Sequence, residues 1–113
     1  MNFNSNRRVL AGAIAVALAL IAAPASAQKK YGPGVTDTEI KLGQTMPYSG
    51  PASAYGTIGK LHTAYFKMLN EAGGINGRKI NLISLDDGYS PPKTVEQVRK
   101  LVEQDEVLAL FQT

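Results

Sequence analysis

The stretch from Ile40 to Leu69 constrains this chain more than any other. It opens on Ile40-Lys41-Leu42-Gly43-Gln44-Thr45, apolar on alternate positions and bounded by breakers, which predicts a short strand. Met46-Pro47-Tyr48-Ser49-Gly50-Pro51-Ala52-Ser53 follows and has the composition of a loop. From Ala54 to Ala72 the period becomes helical. Ile58, Leu61, Tyr65, Met68, Leu69 and Ala72 share one stripe, the expected buried face, while Lys60, Lys67, Asn70 and Glu71 fall outside it. Ser53 is the expected N-cap and Gly73-Gly74 the stop. His62 lies off the stripe, as a surface or packing histidine would. A strand, a permissive loop and a helix N-terminus are one half of a crevice in an open α/β sheet.

The downstream sequence repeats the alternation. Asn76-Gly77 is a tight-turn pair leading into Lys79-Ile80-Asn81-Leu82-Ile83-Ser84-Leu85, a second strand that ends at Asp86-Asp87-Gly88. Tyr89-Ser90-Pro91-Pro92 halts the chain, and a second helix starts at Ser90 or Pro92. Its expected buried stripe is Val95, Val98, Leu101 and Val102, with Glu96 and Lys100 paired at i, i+4. Val107-Leu108-Ala109-Leu110-Phe111 is continuously apolar, as a strand buried on both faces would be. Short connections then imply right-handed units and an α/β fold, a three-layer βαβαβ arrangement on a parallel sheet. With strand order 2-1-3, strands one and three are neighbours, and the loop 46–53 meets Gln112-Thr113 at the switch point.

Upstream lies a leader-like segment. Met1 to Arg8 is polar and carries Arg7-Arg8; Val9 to Ala23 is apolar throughout; Ala25-Ser26-Ala27 is a small-x-small cleavage site before Gln28. Fifteen apolar residues reach about 22 Å, short of a hydrocarbon core of ~30 Å, so a cleaved secretory leader is expected rather than a membrane span. The expected divisions are a signal peptide at 1–27, a polar lead-in at 28–38 broken by Gly32-Pro33-Gly34, and one partial lobe at 39–113. The formal charge of +3 is largely local to the leader. Removing Arg7 and Arg8 from the 12 basic residues leaves 10 against 9 acidic ones, scattered and without interleaved aromatics, which points away from nucleic acid.

Enzymatic signatures do not assemble. Gly59-Lys60 is followed by Leu61, and the first glycine of a phosphate loop would fall at Ala54. There is no Gly-x-Ser-x-Gly elbow and no cysteine. Asp86-Asp87 lack companion ligands and are expected to serve as a turn cap and a solvated neighbour. Neither metal nor cofactor is expected. Tyr48 and Tyr55 flank the first loop, where a ring offers a cleft an apolar wall with a hydroxyl handle.

Several features in order carry a resemblance: Ile-Lys-Leu-Gly at 40–43, Ser49-Gly50-Pro51 with Tyr55-Gly56, Asn70-Glu71-Ala72-Gly73-Gly74-Ile75-Asn76-Gly77, and Asp86-Asp87 with a proline four or five residues on. From about Thr38 to Thr113 the chain resembles the amino-terminal lobe of the branched-chain amino-acid-type (leucine-binding-protein-like) type I periplasmic binding proteins, the substrate receptors of ABC importers. The resemblance implies a non-catalytic, periplasmic receptor for an amino acid or a related small carboxylate or amide. Two lobes would close on the solute and present it to an inner-membrane permease. It implies that Tyr55 lines the cleft and that Ser49 and Gly50 border it. Gln112-Thr113 would stand at or just before the groups that grip a carboxylate. The second lobe is expected to be absent from this chain. Two other readings were weighed, an extracytoplasmic sensor module that signals and a fragment of an exported α/β enzyme.

Overall fold

The computed structural model describes residues 30–113. The expected leader, with Ala25, Ala27 and Gln28, lies outside the described residues. β1 (Glu39–Met46) and β2 (Lys79–Asp86) pair in parallel along their whole length, from Glu39 opposite Lys79 to Met46 opposite Asp86. β3 (Ala109–Leu110) joins the other side of β1, also in parallel, with Leu42 opposite Ala109 and Gly43 opposite Leu110. The order is therefore β2-β1-β3, the order that places the loop 46–53 and Gln112-Thr113 at one switch point. The Asn76-Gly77 turn also forms. Ile75 and Arg78 bridge across it with both backbone hydrogen bonds made, at 2.8 and 2.9 Å.

Pleating sends successive residues of β1 to opposite faces. Gln44 and Met46 face α1 (Gly56–Glu71), which follows a 3-10 turn at Ser53–Tyr55; Gly43 faces α2 (Pro91–Glu103). The two helices thus cover opposite sides of the sheet. Leu101 of α2 is fully buried and seats on Gly43 beside Val107. Met46, Ile80, Leu101 and Val107 are the buried apolar side chains among the described residues.

The packing face of α1 differs from the expected one. Ile58, Leu61, Tyr65, Met68 and Ala72 are exposed, and of the predicted stripe only Leu69 is half-buried. The helix instead turns Gly56, Gly59, His62, Phe66 and Asn70 toward the sheet. The reason is close approach. A Cβ at Gly59 would run into the Tyr48 hydroxyl and the Met46 side chain, so only glycine lets the helix settle this low over β1. Nor does Ser53 cap α1: Tyr55 stands at its N-cap and no side chain bonds there.

Polar side chains complete that interface. Gln44, fully buried, donates through Nε2 to His62 Nδ1 at 2.7 Å and accepts from Ser84 Oγ at 3.1 Å. Asn70 bonds both backbone groups of Ile80, accepting from its N–H at 2.8 Å and donating to its carbonyl at 2.7 Å. His62 packs edge-on to Phe111, which also meets Phe66.

Three further expectations are corrected. Val95 and Val102 are exposed, since α2 rests on the sheet through Leu101 with Val98 half-buried. Lys100 reaches past Glu96 to Asp105, at 3.0 Å, where the chain turns into β3. The third strand is buried only at Val107. Leu108 and Leu110 are exposed, and the regular strand shrinks to Ala109–Leu110.

Candidate ligand-binding site

The carboxyl ends of β1, β2 and β3 lie at one edge of the sheet, and the order 2-1-3 makes the gap between β1 and β3 its switch point. Every expected site residue follows a strand at that edge. Tyr48, Ser49 and Gly50 leave β1, Tyr55 precedes α1, and Gln112-Thr113 leave β3.

Asp86, the last residue of β2, fixes the first loop. Its Oδ1 accepts from the backbone N–H groups of Tyr48 at 2.9 Å, Ser49 at 3.1 Å and Gly88 at 3.0 Å. Its Oδ2 accepts from Ser49 Oγ at 2.6 Å and from Lys93 Nζ at 3.0 Å. The Ser49 hydroxyl, then the Lys93 ammonium, then the Gly88 and Ser49 N–H groups hold this carboxyl far below the usual carboxylate range. It stays ionised and ties together the β1 loop, its own turn and α2.

Asp87 is buried rather than solvated. Its carboxylate accepts from Tyr89 N–H at 2.9 Å and Thr94 Oγ1 at 3.0 Å, and its N–H donates to the Met46 carbonyl at 3.1 Å. The expectation of one cap and one free carboxylate is therefore corrected. Both groups organise loops, because the turn folds back over the end of β1.

Two tyrosines take different parts. Tyr48 is half-buried; its hydroxyl bonds Ser84 Oγ and its ring lies under Gly56 and Gly59, so it supports the wall from behind. Tyr55 is 58 % exposed and stacks on Tyr89, with ring centroids 6.3 Å apart and planes 28° apart. Tyr89 was not among the residues singled out from sequence, although an aromatic directly after Asp-Asp-Gly at a strand end was the available signal. Beyond it lies an open, largely apolar recess of about 530 Å³, lined by Asp87, Tyr89, Pro91, Thr94, Val95 and Thr113. Thr113 is thus brought beside Tyr89. Gln112 is exposed with a φ of 51°, just past Phe111, whose N–H donates to the Gly43 carbonyl at 2.7 Å.

Comparison with known proteins bears on this arrangement. A family profile described as periplasmic binding protein matches residues 39–113. An amino acid binding protein of Pseudomonas aeruginosa is 33% identical over 75 residues, covering 64% of this chain and 20% of that protein. The Leu/Ile/Val-binding protein homolog 1 of Brucella abortus is 43% identical over 56 residues, covering 49% of this chain and 15% of that one.

Solved structures agree. A fatty acid ABC transporter substrate-binding protein from Thermomonospora curvata superposes with a TM-score of 0.61 at 36% identity, covering 72% of this chain and 21% of that one. The branched-chain amino acid transporter substrate-binding protein of Streptococcus pneumoniae, in complex with isoleucine, gives 0.61 at 31%, covering 65% and 21%. The chain therefore spans about a fifth of the length of these two proteins. Strand order, the ordered motifs from Ile40 to Asp87 and the profile match agree, and this chain belongs to the periplasmic binding protein family.

Proposed function

We propose that this chain is the amino-terminal part of an exported solute-binding receptor that serves an ABC importer. It captures an amino acid or a related small carboxylate or amide and takes no part in catalysis. The observation that carries the reading is the set of loops at the β1/β3 switch point. An exposed ring, Tyr55, follows a loop that Asp86 holds in one geometry. Such preorganisation suits binding, because a ligand need not order the loop at its own cost. The names of the relatives support amino acids as the solute class, and the leader-like segment supports export.

In this reading Tyr55, Ser49 and Gly50 border the solute, Tyr48 braces the Tyr55 wall, and Gln112-Thr113 begin the segment facing it. A permease in the inner membrane is the partner. Calorimetric titration of the receptor expressed from its gene, with isoleucine, glutamine and phenylalanine, tests this directly. Tyr55→Ala is expected to weaken binding by ~1–3 kcal/mol, the scale of one buried aromatic contact. Identical isotherms for parent and variant would reduce Tyr55 to a packing residue. Export is tested separately: the intact mass of periplasmic protein is expected to correspond to a chain starting at Gln28. Recovery solely of uncleaved chain in the membrane would contradict it.

A further inference from the structure

The backbone at Tyr89 is one that a tyrosine disfavours. Gly88 and Tyr89 have positive φ values of 57° and 60°, and Ser90 N–H donates to the Asp87 carbonyl at 3.0 Å. A turn with two left-handed central residues belongs to Gly, Asn and Asp; Gly88 meets that demand freely, and a bulky side chain does not. The chain nevertheless holds Tyr89 there. Its N–H donates to one oxygen of buried Asp87, whose other oxygen is bound by Thr94 of α2.

The ring so positioned is 71 % exposed, and it stacks on Tyr55, itself exposed. Among the described residues the ring joins no core, and a turn-forming role alone would favour Gly or Asn at this position. Strain kept beside a recess at the ligand edge of a parallel sheet fits a residue that touches ligand.

We propose that Tyr89 is a specificity-determining wall of the solute site, pairing with Tyr55 to select solutes that carry a flat aromatic or extended apolar group. This rests on the receptor reading above and deepens it. The Tyr55 ring stacks against Tyr89, and Tyr89 in turn borders the recess that Pro91 and Val95 also line. A short aliphatic side chain leaves most of this surface wet. An aromatic ring or an acyl tail covers it and gains the corresponding burial.

The test is titration of the receptor expressed from its gene with L-isoleucine, L-phenylalanine, 4-hydroxybenzoate and octanoate, for the parent, Tyr89→Gly and Tyr89→Phe. The parent is expected to bind at least one of the last three more tightly than isoleucine. Tyr89→Gly, which relieves the backbone, is expected to weaken that probe about tenfold or more, the scale of one lost aromatic contact. Its thermal midpoint should match the parent's and its affinity for isoleucine should change little, while Tyr89→Phe retains the preference.

A parent that prefers isoleucine, or a Tyr89→Gly variant that binds every probe as the parent does, overturns the proposal and leaves the receptor reading intact. So does a variant that loses all probes equally with a lowered midpoint, since the ring would then be structural. A parent that binds none of the four overturns this proposal, and the receptor reading falls with it only when glutamine also gives no isotherm.

Discussion

Leu101→Ala is expected to destabilise the fold by about 2–5 kcal/mol, a large share of the ~5–15 kcal/mol that holds a typical domain together. Leu101 is fully buried, and both of its Cδ atoms lie 3.1 Å from where a side chain on Gly43 would begin. Gly43 has none, so β1 cannot fill the space that truncation leaves. Val107, on the other flank, is fixed by its N–H to the Leu101 carbonyl at 3.1 Å and cannot move in without bending the entry to β3. The site is therefore one that collapses poorly, which places it high in that range. Urea unfolding of parent and variant checks this, with Val102→Ala as the control. Val102 is 51% exposed on the same helix, and its truncation is expected to cost under about 0.5 kcal/mol. A Leu101→Ala variant as stable as the control would show that α2 is not held by this residue.

Asp86→Ala is expected to loosen the whole carboxyl edge of the sheet at once. One carboxylate serves three N–H groups, a hydroxyl and an ammonium, and alanine serves none of them. Hydrogen exchange at Tyr48, Ser49 and Gly88 is expected to rise well above the parent's, and solute affinity to fall even though Asp86 faces its own loops. The pH dependence has a definite sign. The folded-state pKa of Asp86 is depressed, so its contribution to stability is fully present above the ordinary carboxylate range. It is lost as the pH falls below that range and through the depressed folded value. Between pH 5 and 8 the parent should hold this contribution constant, and under acid Asp86→Asn should lack the corresponding loss. Because the Lys93 pair is part-exposed, at 41% and 32%, raised salt should weaken its share. Unchanged exchange at the three amides in Asp86→Ala would remove Asp86 from this role.

Alternation of strand and helix was enough to read a parallel sheet, and the breakers placed most element boundaries within a residue or two, while the strand order entered only as a condition that the structure meets. What escaped was the choice of face. On α1 the apolar period selects Ile58, Leu61, Tyr65 and Met68, yet the helix packs through two glycines, a histidine and an asparagine. Hydropathy rewards large apolar groups, whereas close approach rewards the absence of a side chain, and no periodicity score registers that. Gln44, His62 and Asn70 are polar by composition, but each spends its hydrogen bonds inside the interface. Ser49, Gly50 and Tyr55 were proposed for the candidate site on the resemblance to the family, and the structure sets them after β1 and before α1. The task given to Asp86 depends on a reach of 37 residues along the chain to Ser49, which only the paired ends of β1 and β2 bring together.

The bond from Asn70 to Ile80 has a consequence for how copies of this chain meet. Parallel strands at a sheet margin offer unpaired N–H and C=O groups to any extended segment that drifts against them. At Ile80 both groups are already taken by one amide side chain, which imitates a single rung of a fourth strand. An intruding segment would have to expel Asn70 before it could find register along β2. Strand addition on the β2 side is thus blocked by a side chain of the chain's own first helix.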